Sequence, residues 1–102
     1  MSYFTDEEVE EIRKKLNITQ DFDTYKTQLN DHVNGWSRYL YRQEFEFASG
    51  NFSIFSKEKL DQWRLKEPAI DYILDKAIQS IVVDLEYLCP NVEQKLRAKL
   101  KE

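Results

Sequence analysis

A chain of 102 residues with 41% hydrophobic residues, 14% aromatics and only 2 Gly and 2 Pro fits one compact domain, residues 1–102, and leaves no room for a second. The aromatic content argues against disorder, and no stretch approaches the roughly 18 uncharged apolar residues that a membrane-spanning helix needs. A net charge of -4 sets duplex nucleic acid aside as the default partner, because phosphate neutralisation by an excess of basic residues supplies most of such affinity. At this length roughly 65% of the unfolded surface is buried on folding, so a core forms without disulfides or metal.

The opening residues Met1-Ser2-Tyr3-Phe4-Thr5-Asp6 show neither a basic region nor an apolar run, so no secretory signal is expected. Thr5 and Glu8 form a capping box, and Phe4 with Val9 forms a hydrophobic staple. Asp6, Glu7 and Glu8 at the start and Arg13, Lys14 and Lys15 at the end complement the dipole of a first helix. Its buried stripe is Val9, Ile12 and Leu16. Asn17-Ile18-Thr19 is a break with a new cap. Phe22, Leu29, Val33, Trp36, Leu40 and Phe47 then follow helical spacing, which predicts a long second helix. Gly35 interrupts it at a cost of about 1 kcal/mol relative to Ala, and its place beside Trp36 suggests a close approach of another helix. His32 sits one position off the stripe, at its boundary.

Residues 44–55 carry two readings. Phe45 and Phe47 alternate with glutamates, Phe52 and Ile54 alternate with Asn51 and Ser53, and Ser49-Gly50-Asn51 lies between, as in a short β-hairpin. Alternatively the second helix runs to Ala48 and Gly50 stops it. The i,i+4 pair Tyr41 and Phe45 favours the helix. Ser56 is read as the cap of a short third helix with Leu60 and Trp63. Pro68 opens the next one, since proline suits a first helical turn. That fourth helix, over residues 68–89, has a wide apolar face: Ile70, Ile73, Leu74, Ala77, Ile78, Ile81, Val82, Leu85 and Leu88. Tyr72, Val83 and Tyr87 form a second stripe opposite. Asn91 is read as the cap of a last helix with Val92, Leu96 and Leu100 inward and Lys95, Arg97, Lys99 and Lys101 outward. The fold class is therefore all-α, a small bundle of four or five helices packed around the fourth.

Chemistry-bearing patterns are few. Gly35 and Gly50 are too far apart for a phosphate cradle. One Cys and one His do not make a zinc site. His32 has no nucleophile elbow beside it. Asp71 and Asp75, at i,i+4 with Lys76 adjacent, read as solvated helix surface. Cys89, unpaired and next to Leu88, reads as a small buried apolar residue in a reducing cytoplasm. No catalytic set, cofactor or metal is expected.

Two resemblances are carried by short features. Leu16-Asn17-Ile18-Thr19-Gln20 resembles the opening of a phage-repressor-type helix-turn-helix. The next five residues, Asp21-Phe22-Asp23-Thr24-Tyr25, lack that family's small residue and glycine turn, so its function is not carried over. A short capped helix, a longer helix from near Phe22 and a Pro-led apolar helix resemble the layout of small phage head-completion and connector proteins. This resemblance implies a structural subunit that assembles into rings.

The remaining signal is aromatic. Residues 36–55 hold Trp36, Tyr39, Tyr41, Phe45, Phe47, Phe52 and Phe55, with Arg38 and Arg42 among them. Aromatic and Arg residues are enriched at interface hot spots, and most of these rings also serve to fill a core. Arg38 and Arg42 are one turn apart, with Tyr39 flanking them, while Trp36 falls on the buried line. The expected partner surface is Arg38, Tyr39, Tyr41, Arg42 and Trp36, with Tyr72 and Tyr87 as a second patch. The expected function is a non-catalytic cytosolic module that binds another protein as inhibitor, immunity or anti-defence factor, or assembly adaptor. A homo-oligomer is compatible with it. A connector subunit is the alternative, and a single-stranded nucleic-acid or regulatory binder the second; stacking of bases on these rings would serve the latter.

Overall fold

In a computed structural model, which describes residues 2–48, 57–86 and 90–101, five helices follow one another: α1 (Asp6–Leu16), α2 (Phe22–Ala48), α3 (Lys57–Lys66), α4 (Ile70–Leu85) and α5 (Val92–Lys101). The chain is all-α, as the 3.6-residue periodicity requires. Among the described residues no helix is long and apolar enough to cross a membrane. The molecule measures 43 × 27 × 17 Å. At about 1.5 Å per residue, α2 alone extends roughly 40 Å, so one helix sets the long axis.

The main seam is α2 against α4, with α5 packed on α4 and α1 on α2. From α2 the seam takes Leu29, Val33, Trp36 and Leu40, and from α4 Ile70, Ile73, Leu74, Ala77, Ile78, Ile81 and Leu85, all buried. Val92, Leu96 and Leu100 of α5 join this core, as do Val9 and Ile12 of α1. Tyr25 belongs to it as well, fully buried one turn before Leu29.

The start of α1 is built as its residues dictate. Thr5 Oγ1 accepts the Glu8 N–H at 3.1 Å, and Glu8 Oε1 accepts the Thr5 N–H at 3.0 Å. Phe4 and Val9 are both buried. Lys76 of α4 reaches Glu8 at 3.1 Å, and its ammonium lies 5.8 Å from the centre of the Phe4 ring. The end of α1 is marked by Asn17 at φ 55°, a left-handed conformation that Asn tolerates. The cap of α2 is Asp21, whose Oδ2 accepts the Thr24 N–H at 3.0 Å.

Three boundaries differ from expectation or qualify it. The hairpin reading fails in its first arm, because residues 44–47 belong to α2. Its second arm, residues 52–55, lies outside the described residues, as does the expected cap Ser56. The fourth helix begins at Ile70, with Pro68 and Ala69 in a turn. Glu67 bridges that turn: its carbonyl accepts the Ile70 N–H at 3.0 Å, and its side-chain Oε1 accepts the Ala69 N–H at 3.3 Å. The helix ends at Leu85, and Leu88 and Cys89 lie outside the described residues. At the start of α5, Asn91 adopts φ 66° and its carbonyl accepts the Lys95 N–H at 3.1 Å.

The capping box makes stability depend on acid pH. The Thr5 N–H, with lesser help from the Lys76 ammonium, holds the Glu8 carboxyl below its ordinary value of 4.5. A carboxyl lowered in the folded state stabilises fully above its unfolded value, and this stabilisation is lost as pH falls through the folded one. Glu8→Gln keeps the hydrogen-bonding shape but does not titrate. Its melting temperature, followed by circular dichroism from neutral pH into the acid range, is expected to lie below the parent's at neutral pH. The gap should close as pH falls through the carboxylate range.

Candidate functional site

Helix α2 presents two unlike faces. Inward lie Tyr25, Leu29, Val33, Trp36 and Leu40; outward lie Asp31, Asn34, Gly35, Arg38, Tyr41 and Arg42, all exposed. Asp31, Gly35, Arg38 and Arg42 follow one another at steps of four, three and four, so they form a single line down the helix. Tyr41, 42% exposed, flanks that line.

The chain has five arginines. Arg13 pairs with Glu10, Arg64 with Asp61 at 3.7 Å, and Arg97 with Asp75 at 2.8 Å and Glu93 at 3.2 Å. The Asp75 contact raises the Arg97 pKa further. Among the described residues Arg38 and Arg42 have no ion-pair partner, and neither has Asp31. The two guanidiniums expected at the surface are exposed there, while the side chains of Glu44 and Glu46, the acids that follow Arg42 along the helix, lie outside the described residues.

The other expected partner residues have separate fates. Trp36 is only 2% exposed and lies in the core, where its ring meets Tyr39 and Trp63 edge-on, each at 5.2 Å between centres. Tyr39 is half-buried against it. Tyr72 is tied to α1: its hydroxyl accepts from Lys15 Nζ at 3.1 Å, a contact that raises the lysine pKa. Tyr87 lies outside the described residues, so of the second α4 stripe Tyr72 is half-buried and Val83 is 80% exposed.

The structure also assembles a cluster that the sequence did not reveal. Glu67 is a carboxylate in the pre-proline linker, and the residue is only 5% exposed. Its Oε2 accepts from Gln28 Nε2 at 3.2 Å and lies 3.2 Å from His32 Nε2. Both partners come from α2, and Oε1 takes the Ala69 N–H at the start of α4. The linker is thereby clasped to α2. His32 also meets Trp63 edge-on at 5.3 Å. Nearby, the Tyr25 hydroxyl is buried with no hydrogen-bond partner among the described residues. Burial first, and the Glu67 charge second, push its pKa up to about 12.

These residues border a cleft of about 530 Å³ lined by Gln28, His32, Trp63, Lys66 and Glu67. Among the described residues the lining offers no hydroxyl or thiol beside the imidazole. The Glu67 carboxylate is already engaged on both oxygens. No group of three or more His, Cys, Asp or Glu among the described residues is placed to hold a metal. A second hollow of about 460 Å³ lies along the α2–α4 seam, where Ser37 Oγ and Ser80 Oγ hydrogen-bond at 2.6 Å. The Ser80 hydroxyl also donates to the Ala77 carbonyl at 2.8 Å, so this pair seals the seam.

Glu67 had one sequence signal, its position directly before a Pro-led helix whose first amides need an acceptor. Tyr25 had another, its place four residues before Leu29. The chain matches no family model, no curated protein and no solved structure.

Gly35 does not face another helix among the described residues. It is exposed, and a Cβ built there meets nothing within 4 Å. The inward approach suggested by its place beside Trp36 is absent, because consecutive helical residues point about 100° apart. Gly35→Ala is therefore expected to raise the unfolding free energy by about 1 kcal/mol, measured by urea denaturation, since the entropy penalty of glycine disappears and no clash replaces it.

Proposed function

We propose that the chain is a non-catalytic protein-binding module and that its contact surface is the outer face of α2. The observation that carries this reading is the contrast among the arginines. Three of the five pair with acids of the fold, and the two that have no such partner among the described residues lie one turn apart on one exposed face, beside an exposed tyrosine. In a protein of net charge -4, the Arg38–Arg42 end of that face is a local concentration of positive charge, with Asp31 at the other end of the line. Guanidiniums present planar, forked donors that match carboxylates, and Tyr with Arg is the pairing typical of interface hot spots. A protein surface that sets a carboxylate opposite a guanidinium is the complementary partner. The half-buried Tyr39 supports the patch from the side through its contact with Trp36.

Arg38→Ala with Arg42→Ala tests this. The double variant is expected to melt within about a degree or two of the parent, because exposed positions contribute little to stability. Its affinity for a partner recovered by pull-down from the native source, measured by titration calorimetry, should fall at least tenfold, about 1.4 kcal/mol. Unchanged affinity, or loss of the fold, would reject this face as the site.

A further inference from the structure

We infer that the outer face of α2 pairs with the same face of a second copy of this chain, the two helices running antiparallel about a two-fold axis at Gly35. The inference rests on the reading of that face as the contact surface and names its partner.

Charge order along the face is the first argument. Asp31 lies four residues before Gly35 and Arg38 three residues after it, all on one exposed line. In an α-helix these offsets are about 6 Å and about 4.5 Å along the axis. Turning one copy end for end about Gly35 therefore brings its Arg38 opposite the other copy's Asp31, and the reverse pair forms by symmetry. A two-fold interface needs this self-complementarity, in which residue i meets j and j meets i. Neither Asp31 nor Arg38 has an ion-pair partner among the described residues, so both are available. Arg38 and Arg42 would repel their counterparts in a parallel arrangement, which fixes the antiparallel one.

Gly35 is the second argument. A glycine in the interior of a 27-residue helix is unfavourable, and among the described residues no atom lies close enough to require it. Its missing side chain opens a notch on the outer face, at the point where the two-fold axis would pass. There the two backbones can approach more closely than any larger residue allows, which brings the flanking charges within reach of each other. Tyr41 then lies at the rim and covers the pair from one side.

Sedimentation equilibrium on the full chain, from micromolar to millimolar concentration, tests the inference. A reversible monomer–dimer equilibrium is expected. Arg38→Asp and Asp31→Arg, each alone, should weaken it at least tenfold, because each sets like charges opposite one another. The combined variant Asp31→Arg with Arg38→Asp should restore it, since both pairs re-form with signs exchanged. Gly35→Leu should leave the protein monomeric with an unchanged helical circular dichroism spectrum. A chain that stays monomeric at every concentration overturns the inference, and so does a dimer that the combined variant fails to restore. If the chain is monomeric while Arg38→Ala with Arg42→Ala still abolishes capture of another protein, the self-pairing is wrong and the contact surface stands. If neither holds, both fall.

Discussion

The burial of one stripe of α2 against α4 is the constraint from which the rest of the structure follows. Leu29, Val33, Trp36 and Leu40 must leave water together, and they are arranged at helical spacing so that a single rigid element does so. Helix α4 supplies the complementary face, apolar over its whole length from Ile70 to Leu85. The other helices dock on this pair. Helix α1 is pinned by Val9 and Ile12 and by the Lys76–Glu8 ion pair, α5 by Val92 and Leu96, and α3 by Leu60 and Trp63. Because the core takes one side of α2, the opposite side is exposed at Asp31, Asn34, Gly35, Arg38 and Arg42.

Burying that seam strands polar groups, and the clasp around Glu67 is the result. Proline leaves the start of α4 in a turn, whose amides need an acceptor. The Glu67 carboxylate provides one, but a buried charge must itself be matched, and Gln28 and His32 reach over from α2 to do so. This explains a polar group in the interior without recourse to catalysis. Both its oxygens are occupied by groups that hold the fold.

Much of this architecture was legible in the residues, and the exceptions have physical reasons. Thr5 and Glu8 announce the start of α1 because a capping box is local chemistry, decided within four residues. The apolar face of α4 is wide enough that periodicity alone defines it. Tyr25 escaped because its hydroxyl marks it as polar, although its ring completes the α2 stripe. Glu67 escaped because its partners lie 35 to 39 positions earlier, and no local pattern links them. The cap of α2 moved from the Asn17-Ile18-Thr19 break to Asp21, since the left-handed turn at Asn17 ends α1 and leaves a short connection before α2 starts. Of the candidate surface, the exposure of Arg38 and Arg42 followed from the wheel of α2. Trp36 was on the buried line by the same wheel. The contact of Tyr72 with Lys15 depends on how α1 packs beside α4, which spacing within one helix does not reveal.

Under the proposed function the two faces of α2 have separate tasks, the inner one folding and the outer one contact. Substituting Asp31, Arg38, Tyr41 and Arg42 together with alanine isolates the second task from the first. The direct measurement is the unfolding free energy of that variant in urea, taken at a concentration where the chain is monomeric. A value equal to the parent's within about 0.5 kcal/mol, or above it through the helix propensity of alanine, is expected. A loss of more than about 2 kcal/mol would show that the fold itself depends on this face, and would contradict the division on which the functional reading stands.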